Sequence, residues 1–175
     1  MSKGREFQLE HPSHSMAHRH GDLYITSGTA LYLYDLNGTQ IKKLYEDTCS
    51  KGSTVAKCAA SPNGNMIYVI NQPCHQLLTL ARDGTVLSYF TDPQLKYPSV
   101  CVSPAGQVLV CDYASEIVMQ VDREGKRQIA IVTKISRPTA VFYSRDDLVM
   151  LTSQSSIVLY VYNSEVNQSL NKHRT

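Results

Sequence analysis

Apolar and polar positions along this chain alternate in short, strand-like runs, and no 3.6-residue helical period persists long enough to compete. The clearest stretch lies between residues 97 and 132. Tyr97-Pro98-Ser99-Val100-Cys101-Val102-Ser103 alternates small apolar with polar residues, as a strand with one buried face does. Pro104-Ala105-Gly106-Gln107 reads as a turn, and Val108-Leu109-Val110-Cys111 as a strand apolar on both faces. Asp112-Tyr113-Ala114-Ser115 forms a polar connection to a third strand, Ile117-Val118-Met119-Gln120-Val121-Asp122. Glu124-Gly125 then turns the chain into Lys126 to Val132. The pattern predicts four short antiparallel strands in succession.

The same plan recurs. One Gly-centred turn repeats as His20-Gly21-Asp22, Asn63-Gly64-Asn65 and Ala105-Gly106-Gln107, with Asp146-Asp147 in the fourth place. A second repeats as Asn37-Gly38-Thr39, Asp83-Gly84-Thr85 and Glu124-Gly125-Lys126. The units begin near Pro12, Val55, Pro98 and Pro138, about 40 to 43 residues apart. Strands two and three are Leu23–Thr26 and Leu31–Asp35 in the first unit, and Met66–Ile70 and Gln76–Leu80 in the second. In the fourth they are Leu148–Leu151 and Ile157–Tyr162, and after Asn163 the pattern dissolves without a fourth strand. Self-similarity at this period predicts an all-β propeller of about four blades, each of four antiparallel strands. The expected organisation is a lead-in over 1–11, blades over 12–54, 55–97, 98–137 and 138–163, and a polar tail over 164–175.

Composition changes this picture little. The 175 residues can bury a single-domain core, and a net charge of +2 neither requires nor forbids an anionic partner. Eleven Tyr against three Phe and no Trp suit half-buried strands with polar tips. The first residues lead into no apolar stretch, and no run is long enough to cross a bilayer, so a cytoplasmic chain without membrane contact is expected. Five Cys without a C-x-x-C pair fit reduced thiols better than a disulfide framework.

Candidate chemistry is sparse. His18 and His20 would share a strand face and could grip a metal, but no Cys or carboxylate stands at ligand spacing, so neither metal nor cofactor is expected. Cys58 and Cys101 fall at the same place in their repeats, which suggests an inner strand admitting only a small apolar side chain. Asp112, with Asn71 at the corresponding place, ends an apolar strand and is expected to cap backbone N–H groups of the turn that follows. No hydrolase, zincin, Walker A or dinucleotide motif occurs, and the chain is expected not to be an enzyme.

The connections between strands two and three, and those between blades, should emerge at one end. That end gathers Gln72, His75, Asp112, Tyr113 and Glu116 with Lys51, Lys96, Tyr97, Lys134 and Arg137. These are the candidate binding residues.

The motif "Pro, small apolar strand, Pro/Ser-x-Gly, apolar strand ending in Asp, polar loop, apolar strand ending in Asp-x-x-Gly" resembles the NHL repeat. Tyr97 to Val132 follows it almost throughout, and Val55 to Phe90 follows it with Asn71 in the place of Asp112. The first and fourth units keep the turns and apolar runs but have Thr26-Ser27 and Thr152-Ser153 where the loop Asp would stand. The resemblance implies a six-bladed ring of the kind that ends tripartite-motif ubiquitin ligases and binds protein or RNA. Four blades leave open flanks, for which a compact four-bladed ring, self-association through the open edges, or membership of a longer propeller are the outcomes, the last favoured. The first expectation is therefore a protein-binding scaffold using the blade-end loops, as a ligase's substrate-recognition part would. RNA binding through Lys96, Tyr97, Lys134 and Arg137 is the second, a metal-dependent propeller hydrolase or lyase the third, and DNA is not expected.

Overall fold

The computed structural model describes residues 6–48, 52–143, 148–152 and 157–161, and among them every regular element is a strand. The first sheet is β1 (Ser15–Arg19), β2 (Asp22–Ser27), β3 (Ala30–Tyr34) and β4 (Gln40–Glu46). The second is β5 (Val55–Ala60), β6 (Met66–Asn71), β7 (Gln76–Ala81) and β8 (Val86–Thr91). The third is β9 (Pro98–Val102), β10 (Val108–Asp112), β11 (Ile117–Val121) and β12 (Gln128–Lys134). The fourth has β13 (Ala140–Tyr143), β14 (Leu148–Thr152) and β15 (Ile157–Val161). Each sheet is an antiparallel meander in sequence order. The fourth turn at Asp146-Asp147 and everything after Val161 lie outside the described residues.

The sheets stand face to face as blades. β1 packs against β5, β5 against β9, and β9 against β13, so the first strand of every sheet is the inner one. No comparable packing joins β13 to β1 among the described residues, which leaves an open arc. The continuously apolar second strands follow from this geometry. In β10, Val108 and Val110 face the second blade, while Leu109 and Cys111 face the fourth. In β6, Tyr68 and Ile70 face the third blade, and Ile67 and Val69 face the first. A strand sandwiched between two blades has no solvent face to fill with polar residues. The outer strands do, and β4 and β8 expose Ile41, Leu87 and Tyr89.

Blades also lock through the turns joining their third and fourth strands. The turn at Gly84 tucks against the first blade so closely that a Cβ there would lie 2.2 Å from the Leu44 carbonyl oxygen. The Tyr68 hydroxyl of the second blade donates to the Arg123 carbonyl at 2.7 Å, and Ser88 Oγ donates to the Glu124 carbonyl. At the open side of the first blade, Leu9 packs with Leu23, Ile25 and Tyr34. His11 stacks on Tyr32 with ring centroids 4.3 Å apart, and its Nε2 is hydrogen-bonded to the Tyr34 hydroxyl at 2.8 Å.

Candidate functional site

The end formed by the second-to-third-strand loops is built by short polar ties between neighbouring connections. Asp112, fully buried at the end of β10, accepts the N–H groups of Ala114 and Ser115 on Oδ1, both at 2.9 Å. Its Oδ2 accepts the Tyr97 N–H at 2.7 Å. One carboxylate therefore closes its own loop, as expected, and also holds the connection arriving from the second blade. Withdrawn and saturated, it presents nothing to a partner.

Asn71 takes the same place in the second blade and does something different. Its Nδ2 donates to Oδ2 of buried Asp47 at 2.9 Å, reaching back to the first blade. Asn71 Oδ1 and Thr54 Oγ1 beside it are buried and find no hydrogen-bond partner among the described residues.

His75 and Glu116 also occupy matching places, immediately before β7 and β11. Both have left-handed backbones, with φ of 53° and 54°. Their carbonyls accept the N–H groups of Asp92 and Ile135, each at 3.1 Å. The side chains tighten the same joints. His75 Nδ1 donates to the Leu95 carbonyl at 2.7 Å, and Glu116 Oε1 accepts from Ser136 Oγ at 3.1 Å. Each loop is thus clamped to the connection that leaves its own blade.

The described candidate residues lie at one end, with unequal exposure. Lys96, Tyr97 and Arg137 are exposed, with Tyr97 at 61%, while Gln72 and Tyr113 are half-buried. The Gln72 N–H donates to the Thr54 carbonyl, and the Tyr113 N–H to the Tyr97 carbonyl. Lys134 stands opposite Ile117 in the β11–β12 pairing, and Lys51 lies outside the described residues. A cleft of about 470 Å³ opens beside them, lined by Ile117, Ile131, Ile135, Gln94, Glu116 and Ser136. Ile131 and Ile135 were not among the candidates. The β11–β12 register slips twice, between Val118 and Met119 and between Gln120 and Val121, and strict alternation does not reveal where Ile131 emerges. The available signal was an isoleucine pair, Ile129 and Ile131, on a strand that the repeat places at a blade's outer edge.

Two other expectations change. His18 lies on β1, but His20 has left the strand at a φ of 51°, so the two do not share a face. Among the described residues no three His, Cys, Asp or Glu side chains converge. Cys58 and Cys101 are both on inner strands, yet they are not equivalent. A register irregularity between Val55 and Lys57 adds one residue to β5, so Cys58 pairs with Val69 and faces the first blade. Cys101 pairs with Leu109 and faces the fourth, and Val100 is the true counterpart of Cys58. Burial pushes the Cys58, Cys101 and Cys111 thiols up from 9.0 to about 12, the opposite of what a nucleophile needs.

No family model and no curated protein matches the sequence. Solved structures do match in fold. Virginiamycin B lyase from Staphylococcus aureus shares 13% identity over 87% of this chain and 56% of its own, with a TM-score of 0.62. Hydrazine synthase from Kuenenia stuttgartiensis shares 13% over 92% of this chain and 49% of its own, at 0.68. A chain of a nidogen/laminin complex shares 15% over 87% of this chain and 59% of its own, at 0.69. The fold is a β-propeller, and the chain spans about half the length of these neighbours. The expectation of a non-enzyme is corrected by the same finding. Two of these propellers bear enzyme names, so neither the fold nor the lack of a linear catalytic motif excludes catalysis. Propeller scaffolds leave their chemistry to loops, where side chains converge from distant positions that no local motif records.

Proposed function

We propose that the chain is a protein-binding platform of NHL type, part of a six-bladed propeller whose working surface is the end carrying Lys96, Tyr97, Tyr113 and Arg137. The observation that carries the reading is the 470 Å³ cleft, apolar at Ile117, Ile131 and Ile135 and polar at Gln94, Ser115, Glu116 and Ser136. A cleft that sets three isoleucines among four polar side chains suits an inserted amphipathic side chain of a partner protein. Exposed Tyr97 offers an amphipathic anchor on the connection that also carries Gln94. The clamps at Asp112, His75 and Glu116 hold these loops in place before a partner arrives, which lowers the ordering cost of binding. The nidogen/laminin neighbour, a propeller in a protein complex, is consistent with this use of the fold. In a tripartite-motif ligase such a platform would select the substrate.

RNA binding is the second reading, favoured by Tyr97 lying exposed beside Lys96, where a base could stack and a phosphate be neutralised. Glu116 in the cleft and a net charge of only +2 weigh against it.

Photo-crosslinking distinguishes the two. A benzophenone amino acid placed at 97, or at 87 on the outer strand, is irradiated in the full chain within cell extract. A discrete protein adduct formed from position 97, absent from position 87 and lost with Ile131→Asp, supports the platform. RNA adducts that vanish steeply with salt support the second reading, and equal adducts from both positions refute the platform.

A further inference from the structure

The opposite end of the propeller carries a second groove that the platform does not use. β1, β5, β9 and β13 run out there, and Arg19, Ala60, Pro62, Val102, Pro104 and Tyr143 line a cavity of about 350 Å³ at the mouth of the axis. A second cavity of about 170 Å³ shares Pro62 and Pro104 with it and reaches Met66 and Arg123. Aliphatic side chains alternate with Ser61, Asn63 and Ser103 in the lining, and an arginine lines each of the two cavities.

Both arginines are held in place. Arg19 Nε donates to the Pro62 carbonyl of the next blade at 2.7 Å, and Arg123 Nη2 donates to the Ala105 carbonyl at 2.9 Å. The Arg123 guanidinium also lies against the turn at Gly106, where a Cβ would come within 3.1 Å of its Nε. A guanidinium has five N–H donors, so a backbone bond apiece leaves most of each fork available. Neither arginine forms an ion pair among the described residues, whereas Arg82 at the same end is matched by Asp22. Among the described residues no Asp or Glu lines either cavity. Asp22 lies across the strand pair from Arg19 and is taken by Arg82, and Asp122 and Glu124 flank Arg123 in the chain, but none of the three lines the groove that the two arginines share.

We propose that this groove binds an extended acidic peptide, its carboxylates meeting Arg19 and Arg123 and its apolar side chains lying over Pro62, Met66 and Pro104. Arg forks favour carboxylates through paired hydrogen bonds. The lining decides for a peptide over a polynucleotide. Aliphatic side chains accept aliphatic ones, while single-stranded nucleic acid needs successive aromatic stacking platforms and Tyr143 is the single aromatic among the described lining residues.

Fluorescence anisotropy on the full chain tests this, with a fluorescein-labelled decapeptide of alternating Glu and Leu as the probe. Controls are the same peptide with Lys for Glu and a ten-nucleotide uridine RNA. The acidic peptide is expected to bind, and Arg19→Gln and Arg123→Gln are each expected to weaken it about tenfold or more. Arg127→Gln, a charge-matched change at an 82% exposed side chain outside the groove, should leave binding within about twofold. Arg19→Lys and Arg123→Lys keep the charge and lose the fork, and an intermediate loss with an unchanged circular dichroism spectrum separates recognition from folding. The proposal is overturned by no binding at about 1 mM peptide, by equal binding of the Lys peptide, by tighter binding of the RNA, or by Arg127→Gln matching the groove variants. None of these readings depends on the platform at the other end.

Discussion

Replacing Gly84 with Ala tests the turn-into-blade packing directly, because two separable costs act at that position. Gly84 has a φ of 98°, and an L side chain in the left-handed region costs about 1–2 kcal/mol. The added Cβ would also sit 2.2 Å from the Leu44 carbonyl oxygen. A relaxed carbon–oxygen contact is about 3.3–3.6 Å, so turn and strand must separate by about 1 Å. The obstacle is backbone in β4, which has no rotamer to change, and overpacking of this kind adds about 1–3 kcal/mol. Gly21 is the internal control. Its φ is 85°, but a Cβ there meets nothing within 4 Å, so Gly21→Ala carries the conformational cost alone. Urea unfolding followed by tyrosine fluorescence and circular dichroism reads both variants. Gly84→Ala should fall about 2–5 kcal/mol below the parent, and Gly21→Ala about 1–2 kcal/mol. Against a typical total of about 5–15 kcal/mol, the difference between them is readily resolved. Equal destabilisation would refute the argument that this turn is docked against the preceding blade.

Tyr68→Phe removes the hydroxyl that bonds the Arg123 carbonyl and should lower stability by about 1 kcal/mol, read as a shift in urea midpoint. Burial pushes the Tyr68 phenol from 10.0 up to about 12. A raised folded-state value means that its contribution is complete below about pH 10 and lost as pH rises toward 12. Tyr68→Phe should therefore flatten the alkaline fall in stability, and an unchanged profile would sink that assignment. The thiols obey the same sign, with stability lost between about pH 9 and 12 as the unfolded chain ionises them first. At pH 8 a thiol reagent followed by peptide mass mapping should spare Cys58, Cys101 and Cys111 in the folded chain and modify all three in urea. Rapid native labelling of Cys58 would contradict its placement between the first two blades. Asn71→Asp places a second carboxylate against buried Asp47 and should cost about 2 kcal/mol or more above pH 6, with partial recovery as the pair takes up a proton at lower pH. A pH-independent loss would show that shape, not charge, is read at that place.

The fold was legible because the blades impose two constraints that a linear pattern records. Strands buried on both faces must be apolar throughout, which gave Val108 to Cys111 and Met66 to Ile70 away at once. Turns with positive φ concentrate glycine, so the period could be counted from Gly21, Gly64 and Gly106. What the pattern does not record is a single extra residue. The equal three-residue spacing of Val55–Cys58 and Pro98–Cys101 looks like equivalence, yet the irregularity in β5 sends the two thiols to opposite flanks of their blades. A one-residue slip reverses every side chain beyond it, and its signature is a hydrogen-bond register rather than a residue type.

The end-face residues were legible for a related reason, since strand order alone determines which loops emerge together. Their roles were not. Asp112, His75 and Glu116 are polar loop residues of the kind a binding site would use, and each commits at least one side-chain atom to a neighbouring connection, while Glu116 also lines the cleft. A loop between sandwiched strands has backbone groups that solvent reaches poorly, so the nearest polar side chains are recruited to satisfy them. The residues left over for a partner are those without such a duty, Lys96 and Tyr97 foremost. At the opposite end the same accounting runs the other way. Arg19 and Arg123 each give one N–H to a backbone carbonyl and keep the rest of their forks above the groove. Structural duty and recognition are there combined in one side chain, and no linear motif separates them.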